Sequence, residues 1–123
     1  MGYESKLYIV ERGSLKDDDG KTYARVLAMF DMCKMGYHFV DVFEKETDLY
    51  FYADDGNTRI VEDMYCDPIR EATVEDVIDV LEEAVENGDD YRRIFPLLAA
   101  LKTLYEQQTD GRWGELAVLH FGY

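Results

Sequence analysis

Acidic side chains are the most abundant groups in this sequence that could do chemistry, with 27 aspartates and glutamates among 123 residues. Carboxylates in a turn can bind calcium, and an EF-hand loop needs an acid at its first position, glycine at its sixth and glutamate at its twelfth. If Gly20 takes the sixth position, Leu15 and Val26 fall on the two acidic positions. If Gly56 takes it, Phe51 falls on the first. The acidic turns therefore predict hairpins, and we expect no metal and no cofactor.

Nucleophiles and general bases are few and scattered. Cys33 and Cys66 form no CxxC pair, which excludes a cysteine-rich zinc site, and we expect both thiols to be reduced. His38 and His120 lie far apart in apolar settings, where a core or surface histidine is the default. No hydrolase, metalloprotease or nucleotide-binding motif occurs. The sequence therefore predicts that the protein is not an enzyme.

The net charge is −14, because the 27 acids outnumber 13 bases. Such a chain repels nucleic acid and anionic membranes and attracts basic surfaces. Charge at Glu4 and Lys6 without a following apolar run argues against a signal peptide, and no apolar run reaches membrane-spanning length. We therefore expect a cytoplasmic protein with a basic protein partner. The alternative explanation of the charge is solubility alone.

The length predicts a single domain over residues 1–123. Aromatic and β-branched segments joined by Asp-Gly turns predict two hairpins, the first from 3–11 and 22–32 and the second from 49–53 and 58–65. The ending ELAVLHFGY predicts a closing strand. Residues 22–32 also fit a helix, but the preceding turn favours a strand. In a strand, alternate side chains share one face, which here consists of Ala24, Val26, Ala28, Phe30 and Met32.

Two helices are predicted between the second hairpin and the closing strand. Thr73 and Asp76 have the spacing of a capping box, and Asn87-Gly88 ends the first helix. The second runs from about Tyr91 to Gln108, and Pro96 lies either in its first turn or at a kink. Its apolar face consists of Ile94, Leu97, Leu98, Leu101, Leu104 and Tyr105. The order of elements predicts an α+β fold, an antiparallel sheet with both helices packed on one face.

The first helix carries six acids and no base: Glu75, Asp76, Asp79, Glu82, Glu83 and Glu86. They fall within an arc of roughly 120°, opposite the apolar residues. Three like-charge pairs four residues apart each cost about 0.2–0.5 kcal/mol, which a base elsewhere in the fold or a partner should offset. Over about 21 Å of helix a DNA strand also carries about six charges. We predict that these residues, extended by Asp89 and Asp90, bind the partner.

Three segments carry a resemblance to a known group of proteins. They are the opening MGYESKLYIVE, the hairpin YFYADDGNTRIVEDMYCDP and the ending LAVLHFGY. Together they resemble a group of small uncharacterised acidic proteins encoded by bacteriophages and prophages, over most of the chain. The sequence departs from that pattern at Cys66, where the group has glycine, so this turn differs. By size, charge and origin the resemblance implies an inhibitor of host nucleases or defence systems, of the anti-CRISPR type.

Three hypotheses for the function follow. The first is a stoichiometric inhibitor that occupies the nucleic-acid-binding groove of a basic host or defence nuclease and binds no nucleic acid itself. The second is a non-enzymatic phage structural or assembly adaptor that self-associates through its aromatic strands. The third is an enzyme of unrecognised type, which a deep pocket with convergent polar groups would support. The first is preferred, with the protein a monomer or homodimer. If the acidic helix is not responsible for binding, the tyrosine-rich hairpin around Tyr50, Tyr52 and Tyr65 is the next candidate.

Overall fold

A computed structural model of the protein describes residues 5–16, 18–20, 22–31, 41–53, 58–62, 68–86 and 94–122. Seven strands and two helices lie within these ranges. In chain order they are β1 (Ser5–Lys16), β2 (Thr22–Asp31), β3 (Lys45–Glu46), β4 (Phe51–Tyr52), β5 (Arg59–Ile60), β6 (Arg70–Ala72), α1 (Val74–Glu86), α2 (Ile94–Thr109) and β7 (Leu116–Gly122).

The first predicted hairpin is formed by β1 and β2, so residues 22–31 are a strand and not a helix. Gly20 lies in the connecting turn with a φ of 80°, a left-handed conformation that glycine adopts without strain. The register of the hairpin shifts in its middle, since Ile9 pairs with Ala28 while Val10 pairs with Val26. One extra residue of β2, at position 27, therefore forms a β-bulge.

This bulge overturns the prediction that alternate residues of β2 share one face. Ala28 and Phe30 pack on the helix side of the sheet, whereas Ala24 belongs to the core on the opposite side. Val26 is exposed, and Met32 lies outside the described residues. The reason is the two-residue period of a strand, because one inserted residue moves all later side chains to the other face.

The main sheet has five strands in the order β2–β1–β7–β6–β3, with every neighbouring pair antiparallel. The predicted closing strand, β7, lies at its centre. The second predicted hairpin forms a separate two-stranded sheet, in which Phe51 of β4 pairs with Ile60 of β5. Residues 54–57, its predicted turn, lie outside the described residues. The predicted α+β class with an antiparallel sheet is confirmed. Strand β3 lies within residues 37–48, for which the sequence leaves either a short strand or a loose connection open, and strand β6 was not predicted.

The main sheet separates two apolar cores. On one side, strand residues such as Leu7, Ile9 and Val118 pack against both helices. On the other side, Val10 and Leu119 pack with Phe51 of the small sheet. The two helices therefore cover one face of the sheet, as predicted, and the β4–β5 hairpin covers part of the other.

Helix α1 begins as its sequence predicts. The backbone N–H of Asp76 donates to Thr73 Oγ1 at 3.1 Å, so Thr73 is the N-cap. Val74, Val77 and Leu81 are buried, and Ile78 is half-buried beside them. The apolar stripe fixes this face toward the sheet, which leaves the acidic face in solvent.

Helix α2 begins at Ile94, so Pro96 lies in its first turn, where its missing N–H leaves no hydrogen bond unmade. Leu97 and Leu101 are buried, and Leu98 is partly buried against the same core. The prediction that Tyr105 belongs to the buried face is wrong. Its side chain is exposed because it lies at the edge of the apolar stripe, next to α1.

Candidate functional site

All six acids of the first helix are exposed on α1. These residues, which we call the acidic face, are Glu75, Asp76, Asp79, Glu82, Glu83 and Glu86. The two further predicted residues, Asp89 and Asp90, lie outside the described residues. The helix has acids in its first turn, where the helix dipole favours negative charge, and no base in its last turn. The charge is therefore unmixed along the whole length of α1.

Two carboxylates of the acidic face have partners on α2. Lys102 Nζ lies 3.2 Å from Glu82 Oε1, and the hydroxyl of Tyr105 donates to Glu75 Oε1 at 2.9 Å. The hydrogen bond to the Glu75 carboxylate raises the pKa of Tyr105, because that bond and the negative charge disfavour loss of the phenolic proton. These contacts supply one compensating base from elsewhere in the fold, which was one of the two alternatives left open by the sequence.

The other four carboxylates have no side-chain hydrogen bond or ion pair within the described parts of the chain. These outward carboxylates are Asp76, Asp79, Glu83 and Glu86. Asp79 and Glu83 are four residues apart, so their like charges repel each other without a base between them. The hydrogen bond from the Tyr105 hydroxyl brings no positive charge to Glu75. Within the part of the chain that the structure describes, five of the six negative charges on the acidic face are therefore uncompensated by an ion pair.

An open cleft of about 380 Å³ lies between the two helices. Its lining combines four carboxylates, one ammonium group and the apolar surface of Ile78 and Tyr105. The lining residues are Glu75, Ile78, Asp79, Glu82, Lys102, Tyr105 and Glu106. The antiparallel packing of the helices creates this arrangement, because it sets Glu75 near the start of α1 beside Tyr105, and Glu82 further along α1 beside Lys102, which comes earlier in α2. The cleft can hold a cation that also has apolar surface.

A second group of charges lies inside the fold. Glu71 of β6 is only 5% exposed and accepts hydrogen bonds from the Arg12 guanidinium and from Thr47 Oγ1, the latter at 2.5 Å. Lys45 Nζ lies 3.4 Å from the same carboxylate. Burial disfavours its charge, but these hydrogen bonds and positive charges outweigh burial, so the pKa of Glu71 lies below its ordinary value. The cluster joins β1, β3 and β6, which indicates a role in holding the sheet together.

Of the two histidines and two cysteines, only His120 lies within the described ranges. His120 is buried and its ring stacks on Phe43 with centroids 5.3 Å apart, in keeping with a core histidine. No three His, Cys, Asp or Glu side chains of those ranges come together as metal ligands. Cys33, Cys66 and His38 lie outside them. In the same ranges, no helix has the length and hydropathy needed to cross a membrane.

Sequence reasoning missed the contribution of α2 to this site. Lys102, Tyr105 and Glu106 follow one another at spacings of three and one, which brings them onto one side of a helix. That spacing is visible in the sequence. What the sequence does not reveal is which side of α2 faces α1, because that depends on how the two apolar stripes pack on the sheet.

Comparison with known protein families, characterised proteins and solved structures finds no match to this chain. Three features of the molecule itself bear on its function. They are the uncompensated charge of the acidic face, the cleft beside it and the net charge of −14.

Proposed function

We propose that this protein is a stoichiometric inhibitor that binds the nucleic-acid-binding surface of a basic protein through the acidic face of α1. The observation that carries the proposal is the set of outward carboxylates, which have no counter-charge in the described parts of the chain. A basic groove offers the missing counter-charges. The like-charge repulsion within α1 would then be relieved on binding rather than on folding.

The dimensions of α1 support mimicry of a nucleic-acid strand. Its 13 residues span about 20 Å, over which one DNA strand carries about six phosphates. The acidic face presents six carboxylates over the same length, five of them without an ion pair to any residue in the described ranges. A groove that binds phosphates with lysine and arginine would meet a similar density of negative charge along α1.

The resemblance to small phage and prophage proteins extends the proposal to the kind of target. A phage-encoded inhibitor would act in the host cytoplasm on a nuclease or defence protein, as anti-CRISPR proteins do. In this proposal the protein performs no chemical step, needs no cofactor and binds no nucleic acid itself. It acts as a monomer or homodimer that competes with nucleic acid for one surface.

The test is competition with DNA for a captured partner. The wild-type protein serves as bait in a bacterial lysate, and short duplex DNA is added to the captured complex. DNA should release the partner, and the variant Glu83→Lys/Glu86→Lys should capture much less of it. A partner that both proteins capture equally, and that DNA does not release, would contradict the proposal.

A matched control separates the position of the charges from their number. Asp18 and Glu62 are exposed and lie outside both helices. The variant Asp18→Lys/Glu62→Lys therefore has the same net charge as the α1 variant. It should capture the partner nearly as well as the wild type does.

Self-association remains a second candidate function, favoured by a different observation. β2 is an edge strand of the main sheet, and two of its apolar side chains, Val26 and Met29, are 37% and 48% exposed. Exposed apolar edge strands tend to pair with other chains. Sedimentation of the wild type and of Met29→Lys distinguishes the candidates. A concentration-dependent oligomer that the substitution disrupts, together with a failure to capture any basic partner, would favour the structural adaptor.

A further inference from the structure

The cleft between α1 and α2 has features that the acidic face alone does not have. We infer that it receives one arginine side chain of the basic partner, an inference that rests on the proposed function and specifies the partner's chemistry at this position. The cleft would bind the guanidinium group between carboxylates while the aliphatic part of the arginine lies on Ile78 and the ring of Tyr105.

The chain already holds a cation of its own in this cleft. Lys102 Nζ is 3.2 Å from Glu82, so a side-chain ammonium group is already bound by one of the carboxylates that line the cleft. The Lys102 side chain is 51% exposed and Glu82 is 46% exposed. Ion pairs as exposed as this one are weak, so an incoming guanidinium can displace the lysine at little cost.

The remaining carboxylates of the cleft are available to a second cation. Asp79 and Glu106 both line it, and neither makes an ion pair within the described part of the chain. The cleft is thus lined by four carboxylates and one ammonium group, and the ammonium pairs with one of the four. A guanidinium has five N–H donors in a fixed plane and can bind two carboxylate oxygens at once, which an ammonium cannot match.

The position of Tyr105 favours arginine over lysine. Its hydroxyl is hydrogen-bonded to Glu75 at 2.9 Å, and this bond restrains the ring at the edge of the cleft before any partner arrives. Arginine stacks on aromatic rings through its planar guanidinium, and its apolar stem covers aliphatic surface such as Ile78. The cleft therefore offers both a restrained ring and uncompensated carboxylates to one side chain.

The experiment measures binding of two synthetic peptides, a Gly-Arg repeat and a Gly-Lys repeat of equal length. Lys102→Met removes the resident cation and should tighten binding of the arginine peptide by about fivefold. Lys16→Met is the control, since Lys16 is exposed on β1 and its loss changes the net charge equally. The arginine peptide should bind more tightly than the lysine peptide and should shift the NMR signals of the Ile78 methyl groups.

Equal effects of the two lysine substitutions, or no shift at Ile78, would overturn the inference and indicate attraction by net charge only. The two proposals fail separately. If Glu83→Lys/Glu86→Lys abolishes capture of the partner while Lys102→Met leaves peptide binding unchanged, the acidic face binds the partner but the cleft does not bind its arginine. If Lys102→Met tightens binding of the arginine peptide but the α1 variant still captures the partner, the cleft binds arginine and the proposed inhibition through the acidic face is wrong.

Discussion

At the scale of single residues, Glu71 shows how a buried carboxylate stabilises this acidic protein. Its hydrogen bonds from Arg12 of β1 and from Thr47, the residue after β3, connect β6 to segments that are far apart in the sequence. Replacing a buried, hydrogen-bonded charge leaves its partners unsatisfied, so we predict that Glu71→Gln lowers the free energy of unfolding at about pH 7 by about 1–3 kcal/mol. Urea unfolding of the two proteins measures this difference.

The same residue predicts a dependence on pH. The pKa of Glu71 is lower in the folded protein than the ordinary glutamate value of 4.5, so its charge stabilises the fold above that pH. The stabilisation should be lost as the pH falls through the folded-state pKa. The difference between the wild type and Glu71→Gln should therefore shrink in acid. A difference that stays constant from about pH 7 to about pH 3 would show that the charge is not involved.

Leu81 tests the packing of α1 on the sheet. It is fully buried in the core that joins the helices to the sheet. Leu81→Ala should lower the free energy of unfolding by about 2–5 kcal/mol, because it removes apolar contacts and leaves a cavity. A loss below about 0.5 kcal/mol, measured by urea unfolding, would mean that another face of α1 meets the sheet.

At the scale of elements, α1 should gain stability when its charge is mixed. In Glu83→Lys/Glu86→Lys, two repulsive pairs, 79/83 and 82/86, become attractive, and lysines enter the last turn, where the helix dipole favours positive charge. We predict a free energy of unfolding higher by about 0.5–1.5 kcal/mol. Thermal unfolding checks this. A lower melting temperature would mean that these glutamates hold the fold together.

The elements differ in how well the sequence predicts them. Helix α1 was predictable because its cap, Thr73, and its apolar period are local features. Strand β6 was not, because its residues Arg70–Ala72 have no alternating pattern and form a strand through pairing with β7 on one side and β3 on the other. The bulge at position 27 depends on the register against β1, which the sequence of β2 does not reveal.

The sequence likewise predicts one part of the candidate site and not the other. The acidic face follows from the spacing of the acids along one helix, so its position on α1 could be predicted. The contacts of the acidic face with Lys102 and Tyr105 could not be predicted, because these contacts depend on the relative placement of the two helices on the sheet. From the sequence we expect a base elsewhere in the fold, or a partner, to offset the like charges of α1. The fold supplies one base, for Glu82, and the proposed partner would supply the rest.

At the scale of the whole molecule, the acidic face and the tyrosine-rich β4–β5 hairpin lie on opposite sides of the main sheet. Helix α1 packs on the side of Leu7 and Ile9, while Phe51 of the hairpin packs on the side of Val10. A substitution in the acidic face therefore does not directly disturb the hairpin, and a substitution in the hairpin does not directly disturb the acidic face. Because the net charge of −14 acts over the whole surface, a binding test must vary the position of charge at constant net charge.

The most direct test of the central claim is the affinity for the captured partner as a function of salt, measured for three proteins. They are the wild type, Glu83→Lys/Glu86→Lys and Asp18→Lys/Glu62→Lys. Each reversal adds two positive charges, so both double variants have a net charge of −10. Charges in solvent are screened over roughly 8–10 Å at physiological ionic strength, so wild-type binding should weaken as salt rises.

The proposed function predicts that the α1 variant binds more weakly and with a shallower dependence on salt, while the control keeps nearly the wild-type affinity. The loss should lie mainly in the association rate if the acidic face chiefly steers the encounter. Equal affinities and equal salt dependence for the two double variants would contradict the claim. The acidic face would then be a solvated surface with no binding role, and the search for the interface would move to the tyrosine-rich hairpin.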